Sequence, residues 1–224
     1  MQEEDFVTDA TQARPRRSAA ERLREVARDL FYRQGIRATG VEELCRVAGT
    51  TKISLYRAFP SKDELVACIL RDDCEQESAW YQNALGPNIA PRERPAAFLA
   101  AAAAELRQPG FRGCSLGLAI AEFPDPEHPA RRVADTYKRQ MRDRLRQVCA
   151  EAGATDPEML GDSLMMLTEG AFSSAAYLGT EEAAAALERA GQQLLASALP
   201  AEDSSLSATR APAPTGRGAI SASE

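Results

Sequence analysis

The chain has 224 residues, 44% hydrophobic and 27% charged, with a formal net charge of −6 at pH 7. No apolar run is long enough to cross a bilayer, and the start MQEEDFVTDATQARPRR lacks the apolar core of a secretory signal, so the expected location is the cytoplasm. Five cysteines without a CxxC pair, and a single histidine, His128, argue against a metal site and against a disulfide framework.

Charge becomes informative once it is divided along the chain. Residues 14–62 hold 12 Lys/Arg against 5 Asp/Glu, a balance of +7, whereas the rest holds 15 against 28, or −13. A basic first quarter on an acidic body suggests a segment that meets a polyanion, although a solvated charged helix gives the same asymmetry. The cysteines read as buried thiols, and the carboxylates around Cys74 disfavour its thiolate.

In chain order, residues 1–17 read as a disordered arm. From Ser18 the apolar positions Leu23, Val26, Ala27, Leu30 and Phe31 form one helical stripe, which Gly35 stops. Thr39 to Glu42 has the pattern of a capping box opening a second helix, whose buried face is Val41, Leu44, Val47 and Ala48. After Gly49 a short third helix runs from about Thr51 to Ala58, and Ser61-Lys62-Asp63-Glu64 is a second capping box that opens a fourth. GPNIAPRERP, residues 86–95, breaks the chain. Helices are then expected over 98–106, 114–123, a stretch marked by Val133, Tyr137, Met141, Leu145 and Val148, then 158–178 and 181–199. No segment shows strand alternation, and residues 200–224 read as a disordered tail. The chain is therefore expected to be all-α, with about nine helices: a basic head over 18–64 and a larger acidic body over 65–199.

Two short helices joined by a Gly-containing turn make a helix-turn-helix, whose second helix suits a major groove. Each is too short to stand alone, and the first and fourth helices supply the apolar stripes they need. Lys52, Arg57 and Lys62 offer cations to phosphate oxygens, and Thr39, Thr51, Ser54 and Tyr56 offer hydroxyls. An ordinary helical hairpin with a basic face is the competing reading.

The run GIRATGVEELCRVAGTTKISLYRAFPSKDEL, residues 35–65, resembles the DNA-binding domain of TetR-type (tetracycline-repressor-like) transcriptional regulators. The resemblance covers about residues 18–70 and rests on Gly35, Thr39, Val41, Leu44, Ala48-Gly49, Lys52, Leu55-Tyr56, Phe59 and the 61–65 run at fixed spacing. It implies that Thr39 contacts phosphate at the start of the second helix. Thr51, Lys52, Ser54, Tyr56 and Lys62 would contact DNA from the third helix and the one after it, with Leu55 and Phe59 as core. Three positions depart from the family pattern. Ile53 stands where Gly is frequent, and is placed to touch a thymine methyl or to narrow the docking angle. Ala58 stands where a phosphate-contacting His is frequent, leaving more of the backbone contact to Arg57. Thr50 replaces an apolar residue and is placed to serve as a cap.

The same resemblance implies a regulator, with repression expected, that binds operator DNA as a homodimer through helices 158–199 and is released by a small-molecule effector held in the body. The effector pocket would draw on Trp80, Tyr81, Phe98, Phe111, Cys114, Tyr137, Met141, Met165, Met166 and Phe172, each of which would serve equally as plain core. KRQMRDRLR, residues 138–146, reads as the solvated face of an amphipathic helix and not as a second nucleic-acid patch. An enzyme finds no support: there is no Gly-rich phosphate loop or nucleophile–base spacing, no cofactor is implied, and Glu122, Asp125 and Glu127 beside two prolines suit a capped turn. The alternative function is an all-helical interaction module without DNA binding.

Overall fold

The computed structural model describes residues 17–200, with the side chains of 77–81 outside that description. The expected arm up to Arg16, the tail from Ala201, and the side chains of Trp80 and Tyr81 therefore lie outside the described residues. Within them the fold is all-α, with nine α-helices and one 3-10 turn and no strand.

The head comprises α1 (Ala19–Gln34), α2 (Val41–Val47) and α3 (Lys52–Ala58), closed by the first half of α4 (Lys62–Ala84). A reciprocal capping box starts α1: the Ser18 hydroxyl accepts the Glu21 N–H, and the Glu21 carboxylate accepts the Ser18 N–H at 2.7 Å. Gly35, at φ +98°, ends α1 in a conformation that disfavours a side chain. The capping box expected at Thr39 does not form. The N-cap of α2 is Gly40, while Thr39 is fully buried and donates its hydroxyl to the Gly35 carbonyl at 2.8 Å. That hydroxyl closes the tight 35–39 turn, which a solvent-facing cap could not do. At α4, by contrast, the Ser61 hydroxyl accepts the Glu64 N–H at 3.1 Å.

The body comprises α5 (Arg94–Leu106) after a 3-10 turn (Pro91–Glu93), then α6 (Ser115–Glu122), α7 (Pro129–Glu151), α8 (Pro157–Leu178) and α9 (Thr180–Ala198). Two apolar cores divide the molecule. Phe98, Leu106, Leu145, Val148, Leu160, Leu164, Leu187 and Leu195 join α5, the end of α7, α8 and α9. The other core joins Leu23, Phe31, Leu44, Leu55, Phe59, Leu65 and Ile69 of the head to Leu116 and Ala119 of α6 and Ala130 and Ala134 of α7. The head core thus does not stop at residue 64; α6 and the start of α7 complete it.

Small residues permit the closest helix approaches. A Cβ at Gly161 of α8 would lie 2.7 Å from the Arg146 backbone nitrogen of α7, and one at Gly191 of α9 would lie 2.3 Å from a Leu99 methyl of α5. The Thr155 N–H, just before α8, donates to the Ala198 carbonyl at the end of α9, so these two helices run antiparallel. Arg142 and Arg146 of α7 both chelate Asp162 of α8, at 2.6 and 2.7 Å.

Candidate nucleic-acid interface

The third helix is held from behind and left bare in front. Leu55 is buried beneath it and Phe59 behind its end, while Thr51 caps it by accepting the Ser54 N–H at 3.2 Å. The Thr51 and Ser54 hydroxyls also lie 3.1 Å apart, so one donates to the other. The preceding turn is fixed by Arg22 of α1, whose guanidinium donates to the Ala48 and Gly49 carbonyls at 3.1 and 3.4 Å. The outward face carries Lys52, Ile53, Tyr56 and Arg57, with Ile53 74% and Tyr56 50% exposed. An apolar group so exposed gains nothing from the fold, which fits contact with a partner surface.

The other predicted contacts divide by environment. Lys52 donates to the Glu42 carboxylate across the turn, and that bond raises its ammonium pKa above the ordinary range. Lys62 lies inward: it donates to the Ile36 carbonyl and sits 5.6 Å from the centre of the Phe31 ring. Burial pushes its ammonium pKa down, with Asp63 and Glu122 opposing. Lys62 and Thr39 therefore build the head's interior turn, contrary to their reading as outward donors. Thr51, Ser54 and Arg57 stand on the open side, and Thr50 donates its N–H to the Cys45 carbonyl, leaving the cap to Thr51.

Behind this face two contacts tie the head to the body, and neither was legible in the sequence. The Glu122 carboxylate at the end of α6 accepts the Ile36 N–H at 2.8 Å and the Arg37 N–H at 2.7 Å. At the other end of α6, the Tyr32 hydroxyl of α1 donates to the Gly113 carbonyl at 3.0 Å and accepts the Arg112 N–H at 2.6 Å. α6 is thereby strapped to the head at both ends. Asp125, by contrast, accepts the Glu127 N–H in a local turn, as expected of that cluster.

Between α1, α4 and α6 lies a cavity of about 410 Å³, lined by Phe31, Tyr32, Ile69, Phe111, Cys114 and Phe172 among others. A neighbouring cavity of about 320 Å³ shares Cys114 and Phe172 and adds Lys138, Met141, Thr168 and Glu169. Phe111 and Phe172 meet edge to face at 5.1 Å. Four of the predicted pocket residues thus come together: Phe111, Cys114, Met141 and Phe172. Tyr137 instead faces a hollow of about 530 Å³ beside Leu85 and Arg144. Phe98 is fully buried in the body core and Met165 packs against that core, because their positions face neighbouring helices. Met166 is 74% exposed on the outer face of α8, away from the cavities. Lys138 also departs from its expected solvated face. It donates to Glu169 at 2.6 Å and to the Cys114 sulfur at 3.1 Å, because its position on α7 faces α8 and the start of α6.

A helix-turn-helix with a bare second helix, strapped to a helical body with internal cavities, defines a class of DNA-binding regulator. Residues 23–69 match the sequence profile of the bacterial regulatory proteins of the tetR family. Over 77 residues the chain is 32% identical to the HTH-type transcriptional repressor KstR2 of Mycolicibacterium smegmatis, a match covering 34% of this chain and 38% of that protein. Among solved structures it is similar to SCO4454, a TetR-family transcriptional regulator of Streptomyces coelicolor. That likeness has a TM-score of 0.77 and 29% identity, covering 80% of this chain and 95% of the other. It is also similar to the TetR-type regulator sav143 of Streptomyces avermitilis, with a TM-score of 0.71 and 34% identity over 81% of this chain and 98% of that one.

The chain belongs to the TetR family of transcriptional regulators, with its DNA-binding domain at the N-terminus. The family is one of regulators and not of enzymes. Among the described residues no helix is long and apolar enough to cross a membrane, and no group of three or more His, Cys, Asp and Glu could hold a metal ion.

Proposed function

We infer that the protein is a repressor that binds operator DNA in the cytoplasm as a homodimer and is released by a small molecule held between α1, α4 and α6. The observation that carries this reading is the double strap of α6 to the head, because it puts the wall of a cavity in direct hydrogen-bond contact with the turn before α2. A ligand that fits better when α6 is displaced would pull on residues 36–37 and on Tyr32. It would then change the separation of the two heads, which must sit about 34–36 Å apart, or a multiple of that, to read one duplex face.

On the DNA side the working residues are Thr51, Lys52, Ile53, Ser54, Tyr56 and Arg57. Lys62 and Thr39 support that surface from within. Dimerisation is assigned to α8 and α9, since Met159, Met166, Tyr177 and Leu178 leave an apolar stripe on the outside of α8. A gel-shift titration on the DNA upstream of the protein's own gene tests the reading. Retardation with a steep salt dependence is expected; no binding to any DNA at low salt would favour the interaction module instead.

A further inference from the structure

The straps of α6 lead to a cluster for which operator binding has no use. Cys114 is the N-cap residue of α6 and lines both adjoining cavities. Its sulfur accepts a hydrogen bond from the Lys138 ammonium at 3.1 Å, and Lys138 is also bound to Glu169 at 2.6 Å. Only 14% of the Lys138 side chain is exposed, so this cation is taken out of water with one carboxylate and one sulfur as partners. Burial opposes its charge, yet Cys114 and Glu169 together outweigh burial and keep the ammonium above the ordinary lysine range. The cavity wall also carries Thr168, which is 3% exposed and whose hydroxyl is the buried side-chain oxygen without a hydrogen-bond partner among the described residues.

We propose that Cys114, Lys138 and Thr168 form a reactive site for a small α,β-unsaturated carbonyl compound, and that alkylation of Cys114 is the signal that loosens the head. This deepens the effector-released regulator reading and rests on it. An ammonium at hydrogen-bond distance favours the thiolate, the nucleophilic form, while Glu169, Glu105 and Asp73 around the cavity oppose it. The sulfur forms a bond to the β-carbon, and the π pair of the C=C moves onto the carbonyl oxygen as an enolate, to which the idle Thr168 hydroxyl can donate. The thiol's proton leaves to water when the thiolate forms, and the enolate takes a proton at its α-carbon from the Lys138 ammonium, which water then reprotonates. The balance is one S–H added across one C=C, with no oxidant or reductant.

The consequence for the head follows from one peptide bond. Gly113, immediately before Cys114, accepts the Tyr32 hydroxyl on its carbonyl, so a shift of the Cys114 backbone acts directly on that bond. Bulk added at Cys114 displaces the 112–114 segment and breaks the Tyr32 strap. The remaining cysteines offer useful controls. Cys45 and Cys149 are buried, with the Cys149 thiol pKa pushed up to about 11 by burial, and Cys68 and Cys74 are half-buried on α4.

The test is timed alkylation of the full-length protein with one equivalent of methyl vinyl ketone at pH 7, read by intact mass and peptide mapping. Cys114 is expected to react at least about tenfold faster than Cys68 or Cys74, because its sulfur is hydrogen-bonded by a buried ammonium. Lys138→Gln should slow Cys114 about tenfold and leave Cys68 and Cys74 unchanged; the wild-type rate ratio stands by itself if the variant does not fold. Equal rates at Cys114, Cys68 and Cys74, or an unchanged rate in Lys138→Gln, would overturn the reactive site. The alkylated protein should release retarded DNA, and Cys114→Ser should bind DNA normally and ignore the reagent. Fast alkylation without release overturns the signal, whereas untreated protein that never binds DNA overturns the regulator reading instead.

Discussion

The Glu122 carboxylate accepts the N–H groups of Ile36 and Arg37, 86 and 85 positions earlier in the chain. Two amides left over from the turn between α1 and α2 are thus satisfied by the last residue of a helix in the body. Charge-assisted bonds to backbone amides are among the stronger ones, and an orphaned amide is costly. Glu122→Ala should lower stability by about 2 kcal/mol in urea unfolding. It should also weaken DNA retention, because residues 36–40 lead into α2. Unchanged stability and DNA affinity would show that the head does not depend on this strap.

Lys52 and Lys62 look equivalent in the sequence and are not equivalent in space. Lys52 is exposed and pairs with Glu42 at the surface, whereas Lys62 is folded onto Phe31 and the Ile36 carbonyl. Lys52→Ala should reduce the slope of log affinity against log salt by about 1 and leave the melting temperature nearly unchanged. Lys62→Ala should do the reverse, with a salt slope close to wild type and a lower melting temperature. Salt titrations on both variants decide between the two positions.

Releasing Lys52 gives a prediction of opposite sign. Glu42→Gln removes the carboxylate that binds the Lys52 ammonium, and with it a negative charge on the face proposed to meet phosphate. Operator affinity should rise severalfold at low salt, and the gain should fade as salt screens the face. A loss of affinity would mean that Glu42 orders Lys52 productively.

On the outer face of α8, Met166 is 74% and Tyr177 78% exposed. Eleven residues apart, they fall on one side of the helix, and such an apolar stripe is costly in water unless covered. Met166→Glu with Tyr177→Arg should halve the mass measured by sedimentation without loss of helicity, since neither side chain supports the chain's own core. A wild type that sediments as a monomer would remove the dimer assignment.

Acid should act through Asp162. Its carboxyl is held well below the usual carboxylate range by hydrogen bonds from Arg146 and Arg142. A depressed folded-state value means that the stabilisation is present above the unfolded aspartate value of about 4 and is lost as pH falls toward the folded one. Asp162→Asn should therefore melt below wild type at pH 7, and the gap should narrow below about pH 4. A gap independent of pH would make the defect one of packing.

What was readable along the chain was what neighbours in sequence decide. The stripe from Leu23 to Phe31 marks α1 because a helix places every third or fourth residue on one face, and Gly35 ends it. The Ser61–Glu64 cap and the short third helix expected from Thr51 to Ala58 are likewise local patterns. Thr39 misled because a Thr-x-x-Glu spacing fits a cap as well as it fits a threonine turned inward to close a turn. Met166 misled because hydrophobicity does not say which side of α8 faces the chain's own core.

By itself, then, the sequence determined an all-helical chain, a basic helix-turn-helix head, and the identity of the helix laid bare on it. These depend on periodicity, caps and turns within a few residues of one another. Only the tertiary structure decided that α6 is strapped at both ends to the head, that Lys62 works inward and Lys52 outward, and that Lys138 meets Cys114. Each of these contacts joins residues between 10 and 86 positions apart. Helical periodicity holds no information about which distant helix will face a given side chain. That is set when the helices pack, by close approaches such as Gly161 against α7 and Gly191 against α5.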